Sequence, residues 1–279
     1  MRRVKYIGSY LGIIILAIIF VLPLFWILST SFKNESEIIT GGFNLFPSKI
    51  TFKTYQEILF NNVYSEQVPV LRWFFNSLFV SCIHTILMLV ISASSAYAYA
   101  RLEFKGKNIL FYLLLSTMMI PQIVIITPLY KLMIWFNWVN SYQALIFPGL
   151  SNVVSVFLLR QFMLGIPNEY DESAKIDGAD EFKIFLNIIL PLIKPALFVS
   201  GLFVFLASWN DFLWPTIVTS SISMRTLPAG LRVVQGYLTT QYGKIAVVSV
   251  ISALPVFIIY LFVQKYFAKG LYLSSGVKG

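Results

Sequence analysis

Residues 169–191 read EYDESAKIDGADEFKIFLNIILP and form a polar island in an apolar chain. Six of the twelve Asp and Glu residues of the protein fall between Glu169 and Glu181. Long apolar segments lie on both sides of this island. Because charged side chains are expensive to hold in lipid, the island must project from the membrane segments into water.

The composition of the whole chain predicts a polytopic membrane protein. Its 279 residues are 58% apolar and only 12% charged, whereas soluble domains are about 45–50% apolar and about 25% charged. The net charge is +9, but the basic residues are scattered along the chain. We therefore see no basic stripe of the kind that binds nucleic acid. The single cysteine, Cys82, excludes an intrachain disulfide and a cysteine-cluster metal site.

Six segments are apolar over the roughly 20 residues that a helix needs to cross a bilayer. We therefore predict an all-α protein with six transmembrane helices. The apolar run after the N-terminus extends to about Leu28, longer than a signal-peptide core of about 7–15 residues, so we interpret it as an uncleaved span. The prolines inside the segments indicate kinked helices around a cavity or, alternatively, a kinked bundle without one. The predicted spans are residues 6–31, 73–100, 109–130, 142–164, 193–219 and 245–264.

Basic residues predict the orientation of these spans. With the N-terminus inside, the inner segments 1–5, 101–107, 160–194 and 265–279 carry thirteen Lys and Arg residues, whereas the outer segments, which are longer in total, carry eight. This density places both termini and the acidic island in the cytoplasm. The predicted organisation is a first span with an outer loop (1–70), a transmembrane core (71–265) and a cytoplasmic tail (266–279). The outer segments 32–71 and 220–243 are either lids or docking rims for an external partner, or simple connectors.

Capping signals predict a helix, a turn and a second helix within the island. Asn168 is a candidate side-chain cap for the first helix, and Gly178 is a candidate left-handed stop. Asp180 is placed to cap the second helix. One face of that helix carries apolar residues at helical spacing. They are Phe182, Phe185, Leu186 and Ile189.

Small side chains at Ser173 and Ala174 allow such a helix to approach a groove of another protein closely. A solvated loop without a partner is the alternative. Pro191 and Pro195 mark the entry to the fifth predicted span.

The spacing of the island resembles a known family. Glu172-Ser173-Ala174, then Gly178, then Ile188-x-Leu190-Pro191 resembles the EAA loop of ABC importer permeases, with Ser173 in place of the usual alanine. Further stretches resemble the carbohydrate-uptake branch, and the C-terminal Val277-Lys278-Gly279 is similar to the tail of its maltose-permease G-type, or second, subunit. These stretches are Met119-Ile120-Pro121, Arg160-Gln161-Phe162, Ile176-Asp177-Gly178-Ala179 and Trp209–Pro215.

The resemblance implies a function and a set of partners. The EAA loop would be a coupling helix that docks in a cytoplasmic ATPase subunit and drives alternating access for a sugar or oligosaccharide. The implied partners are a second homologous permease chain, two ATPase subunits that hold ATP and Mg, and an extracytoplasmic solute-binding protein. The implied location is the cytoplasmic membrane of a bacterium or archaeon. The ATPase-coupling residues would be Glu172, Ser173, Ala174, Asp177, Gly178, Ala179 and Pro191.

Alternative functions remain open at this point. A permease of the same class for a polyol or glycerol phosphate is one, and an ion-coupled secondary transporter is another. An enzyme is disfavoured because one histidine, one cysteine and no HExxH motif provide neither a catalytic set nor a metal site. No Walker A stretch is present. We therefore expect ATP hydrolysis in a partner subunit and no cofactor in this chain.

Asp211 is the one acidic residue inside a predicted span, in the group Trp209, Asn210, Asp211 and Trp214. Intramembrane acids are functional candidates by default. The group either lines the pore and binds sugar hydroxyls, or forms a structural contact between two permease chains, and we favour the structural interpretation. His84 lies in the second predicted span, where we expect a satisfied core residue.

Overall fold

The computed structural model describes residues 2–42, 44–60, 68–237 and 241–275. These residues form helices and turns without a strand, so the predicted all-α class is confirmed. The tail residues Val277-Lys278-Gly279 lie outside the described residues, as does the loop 61–67. The α-helices are α1 (Arg2–Ser31), α2 (Glu35–Thr40), α3 (Lys53–Phe60), α4 (Val70–Arg101), α5 (Lys107–Ser116), α6 (Gln122–Trp135), α7 (Tyr142–Ile146), α8 (Val153–Leu164), α9 (Glu169–Ile176), α10 (Glu181–Ile184), α11 (Leu190–Leu192), α12 (Lys194–Asn210), α13 (Leu213–Val218), α14 (Leu227–Tyr237) and α15 (Tyr242–Ser275).

Three helices among the described residues are long and apolar enough to cross a membrane. They are Tyr10–Ser31 of α1, Val70–Arg101 (α4) and Tyr242–Leu261 of α15. Two bent helix pairs raise the number to as many as five if each pair is one span. The fourth predicted span, residues 142–164, contains the short helix α7 and the 12-residue helix α8. The protein is therefore an integral membrane protein.

Two predicted spans are broken rather than merely kinked. The third is bent by 99° between Lys107–Met119 and Gln122–Trp135. Ile120 is extended there (φ −83°, ψ 116°), because the ring of Pro121 disfavours helical backbone in the preceding residue. The fourth leaves the helix after Ile146 and resumes at Val153.

The fifth predicted span, residues 193–219, is broken as well. The break separates α12 from α13, where Asp211 is extended (φ −67°, ψ 122°). At the entry to this span, the chain also bends by 78° between Glu181–Leu192 and Lys194–Asn210. Irregular backbone at membrane depth is tolerated only where protein or a water-filled cavity surrounds it.

One compact unit comprises residues 1–74 and 227–279. In this unit α1, α2, α3 and α14 pack against α15. The Glu35 carboxylate accepts the backbone N–H groups of Tyr242 at 2.6 Å and Gly243 at 3.0 Å, which start α15. Glu57 forms an ion pair with Lys244 at 3.3 Å. The described part of the predicted outer loop 32–71 therefore folds into helices that are fastened to α15.

Close packing in the same unit depends on a glycine. Gly230 of α14 is buried against the Trp73 indole, which is also fully buried. A Cβ at Gly230 would lie 2.2 Å from that ring. This contact leaves no room for any other residue type.

The other unit comprises residues 75–226. Its core joins the C-terminal part of α4 to α8, to the island and to the start of α12. The small-residue run 92–96 supplies Ala93 and Ala96 to this core. Small side chains let the neighbouring helices approach α4 closely. The buried residues are Ala93, Ala96, Tyr97, Val156, Leu159, Met163, Ala174, Ile184, Phe185, Ile189, Ile193 and Ala196.

Candidate functional site

The first helix of the island, α9, begins at Glu169. The Asn168 carbonyl accepts the backbone N–H groups of Asp171 at 2.9 Å and Glu172 at 3.0 Å. The predicted side-chain cap is wrong, because Asn168 makes no side-chain capping bond. Its Oδ1 instead accepts a 2.5 Å hydrogen bond from Arg101. The acidic first turn still matches the positive end of the helix dipole.

The predicted stop at Gly178 is confirmed. Gly178 has φ +79°, a left-handed backbone that other residues adopt only at a cost. Its N–H donates to the Lys175 carbonyl at 3.1 Å, and the Ala179 N–H donates to the Ala174 carbonyl at 2.9 Å. This pair of bonds is the Schellman pattern that closes helix ends. No heavy atom lies within 4 Å of the position that a Cβ would take at Gly178, so the backbone conformation alone requires glycine.

The second helix begins as predicted, but its buried face differs. Asp180 Oδ1 accepts the Lys183 N–H at 2.8 Å, which confirms the cap. The chain then makes a π-helical turn over Phe185–Ile189, which holds more residues per turn than an α-helix. The predicted α-helical face is therefore wrong. Phe185 and Ile189 are buried together with Ile184, whereas two other members of the predicted face, Phe182 and Leu186, are exposed.

The expected ATPase-coupling residues fall into two groups, one exposed to solvent and one wholly or partly buried. Ala174 is buried in the core of its own unit and Ala179 is half-buried. The small size of Ala174 is therefore needed by the chain itself. The Ser173 hydroxyl donates to the Glu169 carbonyl at 2.7 Å, within α9. The exposed members of the set are Glu172, Ser173, Asp177, Gly178 and Pro191.

Three large apolar side chains project from the island beside these residues. Ile176 is 86% exposed, Phe182 is 68% exposed and Tyr170 is 51% exposed. Ile176 and Phe182 lie on either side of the Gly178 turn. The sequence did not reveal that Ile176 and Tyr170 are exposed. Isolated apolar residues among charged ones look like the buried side of a short helix.

Arg101, the last residue of α4, fastens the island to the membrane helices. Its guanidinium donates to the Met163 and Ile166 carbonyls, each at 2.7 Å, and to Asn168. It also lies 3.4 Å from the Asp171 carboxylate, and the two side chains are only 5% and 14% exposed. Arg101 thus donates hydrogen bonds to carbonyl groups at the end of α8 and also contacts the first turn of α9. The sequence marked it only as an inner basic residue.

Tyr97 lies one turn before Arg101 and contacts the other arm of the island. Its hydroxyl donates to Glu181 Oε2 at 2.6 Å, and its ring packs on Phe185 with centroids 4.9 Å apart. Glu181 Oε1 lies 2.8 Å from the Lys175 ammonium. That hydrogen bond with Glu181 raises the pKa of exposed Lys175 above its ordinary value. The two arms are therefore joined to each other and to α4.

The second predicted group lies at the break between α12 and α13. Asp211 Oδ1 accepts the backbone N–H groups of Leu213 at 3.1 Å and Trp214 at 3.4 Å. Trp214 Nε1 donates to the Ala144 carbonyl at 2.8 Å. Trp209 is buried and stacks on Phe205. The Trp209 ring is therefore covered and cannot serve as a sugar platform, whereas Trp214 is half-buried and only its N–H group is shown to be engaged.

The remaining polar residues near this break are also engaged. Asn210 is exposed and donates to the Leu206 carbonyl at 2.9 Å, within its own helix. His84 Nδ1 lies 2.7 Å from the Ile146 carbonyl at the end of α7, which confirms it as a satisfied residue of the helix packing. Among the described residues, no group of three or more His, Cys, Asp and Glu side chains is arranged to hold a metal ion.

Comparisons with known proteins agree with the loop motif. Residues 88–271 match the family model of the binding-protein-dependent transport system inner membrane component. The chain is 40% identical to the arabinooligosaccharides transport system permease protein AraQ of Bacillus subtilis, over 98% of this chain and 96% of that protein. It is 34% identical to the trehalose/maltose transport system permease protein MalG of Thermococcus litoralis, over 99% of this chain and 98% of that protein.

The fold has a solved counterpart. A chain of a bacterial ABC transporter involved in the import of the acidic polysaccharide alginate superposes with a TM-score of 0.82 at 22% identity, over 95% of this chain and 97% of that chain. The family match covers well over half of the sequence, and near-complete relatives exceed 30% identity. This chain therefore belongs to the family of binding-protein-dependent transport system inner membrane components, which are ABC importer permeases.

Proposed function

We propose that the chain is the membrane-spanning permease subunit of an ABC importer that takes up a sugar or oligosaccharide. The single observation that carries the proposal is the island 169–191, a capped and anchored helix-turn-helix with the EAA spacing. Relatives named for arabinooligosaccharides and for trehalose and maltose support a carbohydrate as the transported solute. The chain itself performs no chemistry, and ATP and Mg are bound by partner subunits.

The island is the coupling element that docks in an ATPase subunit. Its exposed contact residues surround the Gly178 turn, and the apolar side chains of Ile176 and Phe182 project beside them. In the proposed topology these side chains lie in the cytoplasm, where lipid does not cover them, and we propose that a partner protein does. A partner cleft that covers Ile176 removes that side chain from water, which stabilises the complex.

The topology consists of six spans, with the coupling element between the fourth and fifth. The fourth span comprises α7 and α8, and the fifth comprises α12 and α13. Both termini and the coupling element lie in the cytoplasm, as the distribution of Lys and Arg predicts. The membrane is the cytoplasmic membrane of a bacterium or archaeon.

Four kinds of partner complete the transporter. A second homologous permease covers the apolar faces that this chain exposes, two ATPase subunits bind the coupling elements, and a solute-binding protein delivers the sugar from outside. A second alginate transporter structure, solved in complex with a periplasmic protein bound to alginate pentasaccharide, supports such a delivery partner (TM-score 0.63). Lipid surrounds the assembly.

Asp211 has a local structural role in this proposal. One carboxylate oxygen caps the start of α13 across the break, which accounts for the placement of an acid there. The acid at this position is thus explained without a pore site for sugar hydroxyls, and the contact of Trp209, Asn210, Asp211 and Trp214 with a second permease chain stays a prediction.

Co-expression tests the proposal. The chain is co-expressed with a candidate partner permease, ATPase and solute-binding protein from the same genome, purified, and reconstituted into liposomes containing ATP and Mg. We expect ATP-dependent uptake of labelled maltose or arabinotriose by the complex and none by the chain alone. Uptake by the isolated chain, or uptake of glycerol phosphate in preference to both sugars, would overturn it.

Orientation is tested separately by labelling. In a Cys82→Ser background, a cysteine at the exposed position Asp177 is expected to react with a membrane-impermeant maleimide only after cells are opened. A cysteine at exposed Ser48 is expected to react in intact spheroplasts. The reverse pattern would contradict the proposed orientation.

A further inference from the structure

Helix α4 makes polar contacts near both of its ends within the unit 75–226. Near its C-terminus, Tyr97 and Arg101 hold the two arms of the coupling element. Near the start of this unit, the Asn76 amide nitrogen donates to the Ser223 carbonyl at 2.8 Å and the Arg225 carbonyl at 2.9 Å. Asn76 Oδ1 accepts the Tyr142 hydroxyl at 2.7 Å.

These contacts are made by buried groups. Asn76 is buried and both of its amide hydrogens and its carbonyl oxygen have partners. When a buried polar group loses its hydrogen-bond partner, the folded protein loses stability by the full desolvation cost of that group. The contacts therefore hold α7 and the turn Ile222–Met224 firmly against α4.

Between these two ends, α4 is uninterrupted. It runs for 32 residues without Gly or Pro, whereas α1 and α15 contain Pro23 and Pro255. Residues 76 and 101 are separated by about 37 Å at 1.5 Å per residue, slightly more than the roughly 30 Å of bilayer hydrocarbon. The two contact sets are thus far enough apart to lie at opposite faces of a membrane, which is where the proposed topology places them. At an intermediate level, His84 contacts the end of α7.

We propose that α4 is the rigid connector that carries movement of the coupling element to α7 and the Ile222–Met224 turn at the outer face. Tyr97 and Arg101 are positioning residues at the inner end, and Asn76 with Tyr142 is their counterpart at the outer end. This inference rests on the proposed function, because the movement originates in the ATPase subunits. It adds the side chains that transmit that movement.

The test follows the movement at both ends of α4 in the assembled transporter. In a Cys82→Ser background, an environment-sensitive bimane fluorophore is attached to a cysteine at exposed Lys183 or, in a separate preparation, at exposed Ser220. The complex is then treated with ATP, Mg and vanadate. In the otherwise unaltered complex, we expect both labels to change their fluorescence.

Two conservative substitutions remove single hydroxyl groups. Tyr97→Phe keeps the ring contact with Phe185, and Tyr142→Phe keeps the contact with Phe79. We expect each to leave the amount of bound ATPase and the Lys183 response unchanged, while the Ser220 response falls about fivefold, the lower end of typical coupling between sites. The double variant is expected to fall further. Tyr99→Phe is the matched control, since its ring packs on Phe104 and Phe111, and it should respond as the parent does.

Two outcomes are decisive against the proposal. One is a parent-like Ser220 response in the double variant. The other is a fluorescence response at Ser220 that falls in the tyrosine variants only as much as the amount of bound ATPase falls. That result would mean that the two tyrosines are needed for assembly of the complex and not for transmitting movement. Failure of the proposed function is distinguishable, because the Lys183 label would then show no nucleotide response even without the tyrosine substitutions.

Discussion

The Arg101 guanidinium lies 3.4 Å from the Asp171 carboxylate, with both side chains almost removed from solvent. The same guanidinium donates hydrogen bonds to three oxygens of the α8–α9 connection. Arg101 therefore connects the end of α4 to the α8–α9 connection through several acceptors. Among these acceptors, Asp171 is the one with a negative charge. Removing Arg101 takes one donor from each of these acceptors.

Arg101→Ala is expected to destabilise the chain by about 3–5 kcal/mol, the usual effect of breaking a buried ion pair from one side. Asp171→Asn is expected to cost less, about 1–2 kcal/mol, because the three other acceptors of Arg101 remain. Thermal unfolding of the detergent-solubilised protein, followed by size-exclusion chromatography, measures both. A larger loss for Asp171→Asn than for Arg101→Ala would contradict this hierarchy.

Gly178→Ala is expected to destabilise the chain by roughly 1–2 kcal/mol, because a left-handed backbone crowds Cβ. Gly178→Asn should lose less, since asparagine tolerates this conformation better. Space is not the cause, as no atom lies near the position. Thermal unfolding of the two variants in parallel gives the order. Equal losses would mean that the backbone conformation is not the determinant.

Gly178→Phe separates docking from folding. The open surface around Gly178 accepts the ring within this chain, so the stability loss should match that of Gly178→Ala. Binding of the ATPase should nevertheless be lost, because the ring enters the space that the partner occupies. Co-purification of the ATPase with each variant is the measurement. Retention of the ATPase by Gly178→Phe would remove the turn from the docking surface.

Asp211→Asn and Asp211→Ala distinguish a cap from a pore group. Asparagine keeps the oxygen that accepts the Leu213 N–H, so uptake and assembly should be normal. Alanine removes the cap and should destabilise the chain by about 1 kcal/mol. Uptake assays and thermal unfolding of both variants provide the comparison. Normal assembly with lost uptake in Asp211→Asn would instead place the carboxylate in the sugar pathway.

Gly230→Ala is expected to cost roughly 3 kcal/mol, at the upper end of overpacking penalties. The new Cβ would lie 2.2 Å from the indole of Trp73, a fully buried side chain that has no space to move away. Gly12→Ala is the control, because nothing lies within 4 Å of a Cβ there, and it should be neutral or slightly stabilising. Thermal unfolding again gives the comparison, and similar stabilities of the two variants would refute the packing argument.

The sequence predicted those features that depend on local chemistry. The Gly178 stop and the Asp180 cap follow from backbone preferences that neighbouring residues express directly. The helical class and the membrane location follow from hydropathy. The EAA spacing identified the family because it fixes the distance between a turn and the next span.

The remaining features depend on distant partners. The Asn168 cap failed because Arg101, 67 residues away, takes the side-chain oxygen. The apolar face of the second helix was misassigned because a π-helical turn shifts the register, and no residue type marks such a turn. The breaks at Asp211 and after Ile146 looked like continuous apolar spans, since hydropathy does not detect a local change of backbone direction.

The closed turn at Gly178 also bears on how the transporter comes together. Fixing the backbone of one residue costs about 1–2 kcal/mol of conformational entropy. If a loop folded only on contact with its partner, the cost for each ordered residue would weaken the binding free energy. Here the hydrogen bonds of the turn and the Asp180 cap form within the chain itself. The shape that we propose as the docking element thus exists before any ATPase subunit arrives, and we expect an ATPase to leave and return without the permease having to refold.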